Sequence, residues 1–234
     1  MEINGKKAIV FGGTSGIGLA TVQQLVAQGA EVVALGRDEA KASVLPAGAT
    51  FIQCDVRSRE SLQAFYQSQG SFDILVSAAT GGSRAIGKFA EMDMDGYASS
   101  FDKLWGYTNV VRFGLEYLSD SGCVVLVSGS PARRCGPGQV ALSSVGGAIE
   151  AFSRAVAKEI SPKRINVMSP GLIDTPMVML QGQERDAHYE RLTGNNLVGR
   201  AGTSDECAQG ILFLIQNDFV TGTTLDVDGG ILLS

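Results

Sequence analysis

Short apolar runs alternate along the chain with longer amphipathic stretches. Several runs are nearly continuous valine, isoleucine, leucine and alanine, which is typical of strands buried on both faces. Seven strands are predicted, at Lys7–Phe11, Glu31–Leu35, Thr50–Cys54, Asp73–Ser77, Cys123–Ser128, Arg164–Met168 and Thr224–Val227. Five helices are predicted between them, at Ile17–Gln28, Arg59–Gln69, roughly Asp95–Leu118, Ser143–Ile160 and Asp205–Gln216. This alternation predicts an α/β fold: a single doubly wound domain over residues 1–234, with about seven parallel strands and helices on both faces.

One long segment, Met177–Ala201, is polar and lacks a clear period. In a compact domain such a stretch is often a lid over a binding site, and we predict a lid at about residues 177–201. A surface loop without a function is the alternative.

Composition and charge narrow the class of protein. Hydrophobic residues make up 44% of the 234 positions and charged residues 18%, as in a globular chain with a substantial core. The net charge of −5 and the absence of lysine or arginine runs argue against nucleic-acid and membrane partners. We expect no signal peptide and no membrane span. The four cysteines are widely spaced and His188 is the only histidine, so we expect a cytoplasmic protein with reduced thiols and no metal.

The turn after the first predicted strand has the sequence Phe11-Gly12-Gly13-Thr14-Ser15-Gly16-Ile17-Gly18 and opens the first predicted helix. The glycines at 12, 16 and 18 let the chain turn sharply and bring backbone N–H groups close to a pyrophosphate. The helix N-terminus adds partial positive charge for that anion. A glycine triplet alone is weak evidence, but the strand–turn–helix context strengthens it.

With this stretch the chain resembles the short-chain dehydrogenase/reductase family, whose glycine motif is TGxxxGxG. Further family-typical segments follow in order: Cys54-Asp55-Val56, Ser77-Ala78-Ala79-Thr80, Ser169-Pro170-Gly171-Leu172-Ile173-Asp174-Thr175, Gly199-Arg200 and residues 221–230. The resemblance implies a Rossmann-type fold that binds a nicotinamide dinucleotide. The residues predicted to bind it are Gly12, Thr14, Ser15, Gly16, Ile17, Gly18, Gly36, Arg37, Asp55, Val56, Ala78, Ala79, Pro170, Gly171, Ile173 and Thr175.

The end of the second predicted strand bears on the choice of cofactor. An acid there would accept hydrogen bonds from the adenosine ribose 2′-OH and would repel a 2′-phosphate. This chain has Gly36 instead, followed by Arg37, whose guanidinium suits a phosphate. Thr14 could add a hydroxyl, whereas Asp38 complicates the case and Arg37 could be an ordinary surface arginine. We predict NADP(H) in preference to NAD(H).

The catalytic motif of the family is absent. Hydride reduction of a carbonyl creates an alkoxide, which needs a proton donor within hydrogen-bond reach. The family's donor is a tyrosine, and a lysine four residues later lowers its pKa. Alignment puts Leu142 and Gly146 at these two places. No tyrosine occurs between residues 117 and 189, and no lysine between 103 and 158, so a shift in register does not restore the motif.

Lys103 is a candidate replacement. The stretch Asp102-Lys103-Leu104-Trp105-Gly106 puts it where the family usually has an asparagine. This resembles a divergent branch of the family, with a Lys-x-Trp-Gly helix motif and no Tyr-xxx-Lys. The Lys103 ammonium could fill the space left by Gly146, bind the nicotinamide ribose and donate a proton. A solvated helix lysine is the alternative.

Other residues are open to two interpretations. After the fifth predicted strand, Ser128 or Ser130 would polarise the carbonyl as the family's serine does, and Gly129 takes the nominal position. Tyr107 lies on the same helix face as Lys103, either as a proton donor or as a core residue. Four more side chains could reach a substrate or simply be solvated: Arg133, Arg134, His188 and Tyr189.

The resemblance implies an oxidoreductase that transfers hydride between NADP(H) and a small carbonyl or alcohol substrate. Two alternatives remain, since function depends on the site: an NADP(H)-binding sensor or partner subunit without turnover, and a non-redox enzyme such as a dehydratase or isomerase. The family forms a helix bundle across a two-fold axis, which implies a homodimer or homotetramer. Gly146-Gly147-Ala148 would allow helices to approach closely in that bundle.

Overall fold

The computed structural model describes residues 1–80, 83–194 and 196–234. In this part of the chain the strands are β1 (Lys7–Phe11), β2 (Glu31–Gly36), β3 (Ala49–Gln53), β4 (Phe72–Ser77), β5 (Leu118–Val127), β6 (Arg164–Pro170), β7 (Ile173–Asp174), β8 (Gly202–Thr203) and β9 (Thr224–Val227). The α-helices are α1 (Gly16–Ala27), α2 (Arg59–Gln69), α3 (Met94–Ser100), α4 (Asp102–Gly114), α5 (Val140–Ala157), α6 (Gly182–Thr193) and α7 (Ser204–Gln216).

Seven strands form one parallel sheet in the order β3-β2-β1-β4-β5-β6-β9, while β7 and β8 pair separately. The predicted α/β fold with about seven parallel strands is confirmed. From β1 the chain runs outward through β2 and β3, then returns to the other side of β1 as β4. In sheets of this kind, ligands bind outside the carboxyl ends of the strands at this reversal of strand order.

Helices cover both faces of the sheet, because successive residues of a strand point to opposite sides. Phe11 belongs to the core that β1 shares with α2, α4 and α5, where Tyr66 and Val111 are also buried. The preceding residue, Val10, belongs to the opposite core, which Leu25 of α1 and Ile211 of α7 complete. Every strand side chain in the middle of the sheet is therefore buried, which explains the continuous apolar runs in the sequence.

Two helical regions differ from the sequence prediction. The predicted helix at about Asp95–Leu118 is divided at Phe101 into α3 and α4. The Ser100 hydroxyl donates to the Gly96 carbonyl (2.9 Å) and accepts the Ala85 N–H (3.0 Å), and such bonding bends helices. The predicted lid segment contains α6, which the pattern missed because only Tyr189 and Thr193 of that helix are buried.

All four cysteines carry free thiols, and only Cys135 is exposed. Burial raises the pKa of Cys54 and Cys123 to about 11 and that of Cys207 to about 12, so these three thiols stay protonated and unreactive. Among the described residues, no group of three histidine, cysteine or acidic side chains is arranged to hold a metal ion. Within the same ranges, no helix has the length and apolar character needed to cross a membrane.

Helix α4 lies unusually close to the loop after β3. A Cβ on Gly106 would lie 2.5 Å from Cγ2 of Val56 and 3.2 Å from its Cβ. Valine is stiff at χ1, so its side chain cannot simply rotate away. We expect Gly106→Ala to lower the free energy of unfolding by about 1–3 kcal/mol, as overpacked cores do, measured by urea denaturation.

A double-mutant cycle with Val56→Ala is the control for this prediction. Removing the valine methyl groups costs buried area but also removes the clash, so the double variant should lose less than the sum of the two single losses. Strictly additive losses would show that the contact between Gly106 and Val56 is not tight.

Candidate active site

A cavity of about 760 Å³ opens at the carboxyl edge of the sheet, above β1 and β4. Every residue that the sequence predicts to bind the dinucleotide lines this cavity. Of the predicted catalytic residues, Lys103 and Ser128 line it as well, whereas Ser130 and Tyr107 do not. The fold therefore brings the predicted cofactor segments together in one crevice, at the reversal of strand order.

The glycine turn is shaped for close backbone contact. Gly12 has φ +76°, and a Cβ there would lie 2.7 Å from the Ala79 nitrogen. A Cβ on Gly18 would collide with the Gly12 carbonyl. Ser15 is the N-cap of α1 but makes no side-chain cap, and the first turn carries no acid. The open N–H groups and the helix dipole fit a pyrophosphate.

Two cations lie at the end of the cavity that the segment after β2 forms. Arg37 and Lys41 both line it, next to Thr14. The carboxylate of Asp38 accepts the Ala40 N–H at 3.1 Å and so caps the short helix that follows β2. Sequence reasoning missed Lys41, which only the turn of this short helix brings back to the cavity.

The loop after β3 is tied to α4 by polar contacts. Arg57 donates to Asp55 (Nη2–Oδ2, 2.7 Å), and this hydrogen bond is the main reason that the pKa of Asp55 is lowered. The same guanidinium reaches Asp102 at 3.5 Å. The Asn109 amide donates to the Val56 carbonyl at 3.2 Å. These contacts position the predicted adenine-binding residues relative to the helix that carries Lys103.

Lys103 extends into the cavity from the first turn of α4. Its side chain is half-buried, Nζ donates to the Ser128 carbonyl at 3.3 Å, and the ammonium lies 5.5 Å from the centre of the Tyr107 ring. Burial, aided by the nearby Arg84 guanidinium, lowers the pKa of Lys103 to about 7. The lysine is thus not a freely solvated helix residue, and its ammonium can lose and regain a proton near neutral pH.

The Ser128 hydroxyl is oriented by a buried network of charged side chains. Its hydroxyl donates to Glu150 at 3.2 Å, and Glu150, which is 5% exposed, pairs with Arg133 at 3.4 Å. Arg133 in turn binds Asp226 of β9. Because the single hydroxyl proton goes to Glu150, the Ser128 oxygen presents lone pairs to the cavity. The role of Glu150 was missed from sequence, although it is an acid on the apolar side of α5.

The structure resolves the choice between the two serines and places Tyr107 in the core. Ser130 begins a short 3-10 helix, Ser130–Ala132, and its buried side chain lies outside the cavity lining. The fully buried Tyr107 hydroxyl donates to the Val127 carbonyl at 3.2 Å. Burial raises the pKa of Tyr107 well above its ordinary value. Of the two serines, Ser128 lines the cavity, and Ser130 and Tyr107 lie outside its lining.

The start of the predicted lid belongs to the cavity wall. Met177 and Val178 line it, while α6 lies beyond. Arg185 of α6 donates to the carbonyls of Thr175 (2.8 Å) and Val178 (2.5 Å) and pairs with Asp174. The helix is thus attached to the segment that carries the predicted cofactor residue Thr175.

The remaining predicted substrate contacts are used elsewhere. His188 packs edge-on against Tyr189, whose hydroxyl donates to the Ile173 carbonyl at 3.4 Å, and neither ring lines the cavity. Arg134 donates to Ser234 at 2.7 Å. Arg133 is paired with acids, as described above. None of these four side chains lines the cavity.

Leu142 and Gly146, which align with the tyrosine and lysine of the family, both line the cavity. A Cβ on Gly146 would lie 2.9 Å from Cβ of Ala132. Within this chain the close approach at Gly146 is made to the turn after β5. Leu142 contributes an apolar side chain to the cavity, and Gly146 contributes no side chain.

The fold and the crevice define a nucleotide-binding α/β protein, and comparison with known proteins identifies its family. Residues 12–232 match the family model described as Enoyl-(Acyl carrier protein) reductase. A 3-oxoacyl-[acyl-carrier-protein] reductase of Mus musculus is 30% identical over 240 residues, which cover 98% of this chain and 99% of that protein. Carbonyl reductase family member 4 of Danio rerio is also 30% identical, over 97% of this chain and 98% of the relative.

Solved structures agree with this assignment. A small-chain dehydrogenase crystallised in complex with NADPH has a TM-score of 0.86 and 31% identity, over 99% of this chain and 100% of its own. The ligand-free aldohexose dehydrogenase of Thermoplasma acidophilum has a TM-score of 0.89 and 26% identity, over 99% of this chain and 96% of its own. The chain belongs to the short-chain dehydrogenase/reductase family. The predicted family and the predicted class of enzyme, an oxidoreductase, are confirmed.

The burial of Tyr107 leads to a test of its role. We expect Tyr107→Phe to lower the free energy of unfolding by about 1 kcal/mol, because one hydrogen bond to Val127 is lost. Turnover should stay close to wild type and not fall by the roughly 10²- to 10⁴-fold that is typical of a lost proton donor. Thermal denaturation and cofactor oxidation measure the two effects. A large loss of turnover at unchanged stability would make Tyr107 catalytic after all.

Proposed function

We propose that this chain is an NADP(H)-dependent oxidoreductase that transfers hydride between the nicotinamide and a small carbonyl or alcohol substrate, with Lys103 as the proton donor. The observation that carries the proposal is the half-buried Lys103 ammonium in the cavity, bound to the Ser128 carbonyl, while Leu142 and Gly146, at the two aligned family positions, offer no proton donor. NADP(H) supplies the hydride-transferring ring when bound.

Three features support NADP(H) over NAD(H). Arg37 and Lys41 give the adenosine side of the cavity two cations, and Thr14 offers a hydroxyl next to them. Asp38, the acid that would repel a 2′-phosphate, has its carboxylate hydrogen-bonded to the Ala40 N–H. A solved relative with 31% identity was crystallised with NADPH.

The proton step follows from the contacts of Lys103 and Ser128. In reduction, the ammonium gives a proton to the substrate oxygen as that oxygen gains negative charge. Ser128 is committed as a donor to Glu150, so its oxygen can accept a hydrogen bond and orient the resulting alcohol. In oxidation, the neutral Lys103 amine takes the alcohol proton back. The amine exchanges protons with solvent between turnovers.

The substrate is proposed to be small because apolar side chains close in on the reacting end of the cavity. Leu142 and Val145 of α5 and Val178 of the lid segment all line it. The names of the curated relatives, 3-oxoacyl-[acyl-carrier-protein] reductase and carbonyl reductase, refer to carbonyl chemistry. The proposal includes a homodimer or homotetramer, since Trp105 of α4 is 57% exposed on the surface of this chain.

Arg37 should determine the preference for the phosphorylated cofactor. We expect Arg37→Ala to raise the Kd for NADPH by about 10- to 100-fold, the effect of losing a charged hydrogen bond, and to leave NADH binding almost unchanged. Fluorescence titration with both cofactors measures this. Arg59→Ala, at an exposed arginine that begins α2, is the matched control and should change neither Kd. Equal weakening of NADPH and NADH would argue against a 2′-phosphate contact.

Lys103 should control the rate of reduction and its pH dependence. We expect Lys103→Met to lower kcat/KM by about 10²- to 10⁴-fold on a panel of ketones, aldehydes and quinones, with NADPH still bound. In the wild type the ammonium is present below a pKa of about 7, so reduction should decline as pH rises through 7 and alcohol oxidation should increase. The variant should lose this step in both directions.

Lys158→Met, at an exposed lysine after α5, is the control and should keep the wild-type pH profile. Wild-type rates in Lys103→Met with intact NADPH binding would refute the role of Lys103. Tight NADPH binding by the wild type without turnover on the whole panel would instead favour the sensor interpretation.

A further inference from the structure

Two cations line the reacting end of the cavity, the end that Lys103, Ser128 and Leu142 define. Lys103 enters from α4, and Arg84 enters from the segment between β4 and α3. Both side chains line the same cavity, and the Arg84 charge adds to burial in lowering the pKa of Lys103. Burial in the cavity also lowers the pKa of Arg84, while part of its side chain stays exposed to solvent.

In the ranges that the structure describes, no carboxylate balances this pair. Neither Arg84 nor Lys103 forms an ion pair there, and the only hydrogen bond of the Arg84 side chain runs from Nη2 to the Met177 sulfur at 3.4 Å, a weak acceptor. The acids that line the cavity, Asp38 and Asp55, lie at the ends of β2 and β3 and already bind Ala40 and Arg57, respectively.

Bound NADP(H) would not balance the positive charge of Arg84 and Lys103. Its pyrophosphate fits the N-terminus of α1, and its 2′-phosphate fits Arg37 and Lys41, both at the other end of the cavity. Arg84 therefore keeps an unmatched guanidinium beside the place where the substrate reacts. A guanidinium has a planar fork of donors that matches a carboxylate in two-point contact.

We propose that the substrate is an oxo acid or the corresponding hydroxy acid, whose carboxylate binds Arg84 while its carbonyl or hydroxyl oxygen binds Lys103. This inference rests on the proposed function and adds the chemical class of the substrate. The short carbon chain between the two groups lies against Leu142 and Val145. An uncharged ketone of the same length would leave Arg84 unpaired and would bind more weakly.

The reaction balances without another reactant. In reduction, a hydride with its two electrons passes to the carbonyl carbon, the C=O π bond breaks, and the Lys103 ammonium gives its proton to the oxygen. The products are the hydroxy acid, the oxidised cofactor and a neutral amine that regains a proton from water. The carboxylate and Arg84 keep their charges throughout.

The experiment measures NADPH oxidation with a series of 2-, 3- and 4-oxo acids and with their methyl esters. Three proteins are compared: the wild type, Arg84→Met and the control Arg112→Met, which changes an exposed arginine of α4. We expect the preferred acid to exceed its ester in kcat/KM by about 10- to 100-fold in the wild type and in the control. In Arg84→Met this preference should disappear. The readout is the ratio of acid to ester in kcat/KM, because loss of the Arg84 charge also acts on Lys103 and changes the turnover of both substrate classes. Equal or better turnover of esters by the wild type, or an equal loss for both classes in Arg84→Met, would overturn the inference and leave hydride transfer intact.

A binding measurement separates this inference from the proposed function. The wild type and Arg84→Met, both loaded with NADP⁺, are titrated with malonate and with succinate, and the melting temperature is measured. The dimethyl esters of the two acids are the neutral controls. We expect a dicarboxylate to raise the Tm of the wild type only. If no substrate turns over, the proposed function fails, and this difference alone supports the anion site. The same shift in Tm in both proteins at every dicarboxylate concentration would overturn the inference.

Discussion

The turn between β1 and α1 lies in direct contact with the backbone that leaves β4, and the rest of the site depends on this approach. No side chain fits at Gly12, because the Ala79 nitrogen occupies the space that a Cβ would need. The approach places the N-terminus of α1 over the crevice between β1 and β4. The segments after β2, β3 and β6 then reach the same edge, because parallel strands all end there. A cofactor site assembled in this way requires very few side-chain donors.

Helix α4 connects this platform to the chemistry. Gly106 lets the helix pack against Val56, and the Asn109 amide donates a hydrogen bond to the Val56 carbonyl. Tyr107 reaches the end of β5 beneath the cavity and places its ring under the Lys103 ammonium. One helix thus contacts the adenosine side and the reacting side together. The Lys-x-Trp-Gly motif combines a cavity residue, a surface residue and a packing residue within one turn.

Charges at the reacting end are distributed in two contrasting ways. Beneath Ser128, the charges are paired: Glu150 binds Arg133, and Arg133 binds Asp226 of the last strand. A buried carboxylate with such partners holds a hydroxyl in one orientation. Within the cavity, neither Lys103 nor Arg84 forms an ion pair with the residues that the structure describes. The proposed substrate site uses this difference: paired charges orient Ser128, and the unpaired cations are free to bind a ligand.

The sequence by itself determined the parallel sheet, the glycine turn and the loss of Tyr-xxx-Lys, because each depends on residue types at short spacing. It did not find α6, whose polar surface has almost no apolar stripe, or the break at Phe101, which depends on a contact of Ser100 with Ala85. The tertiary structure alone decided that Ser128 and not Ser130 faces the cavity. It also decided that Lys103 is half-buried in the cavity, since burial depends on elements far apart in the chain. The same reason applies to Lys41 and Arg84, which line the cavity, and to Glu150, which binds Ser128. Their local sequence is ordinary, and only the packing of distant segments brings their charges to these places.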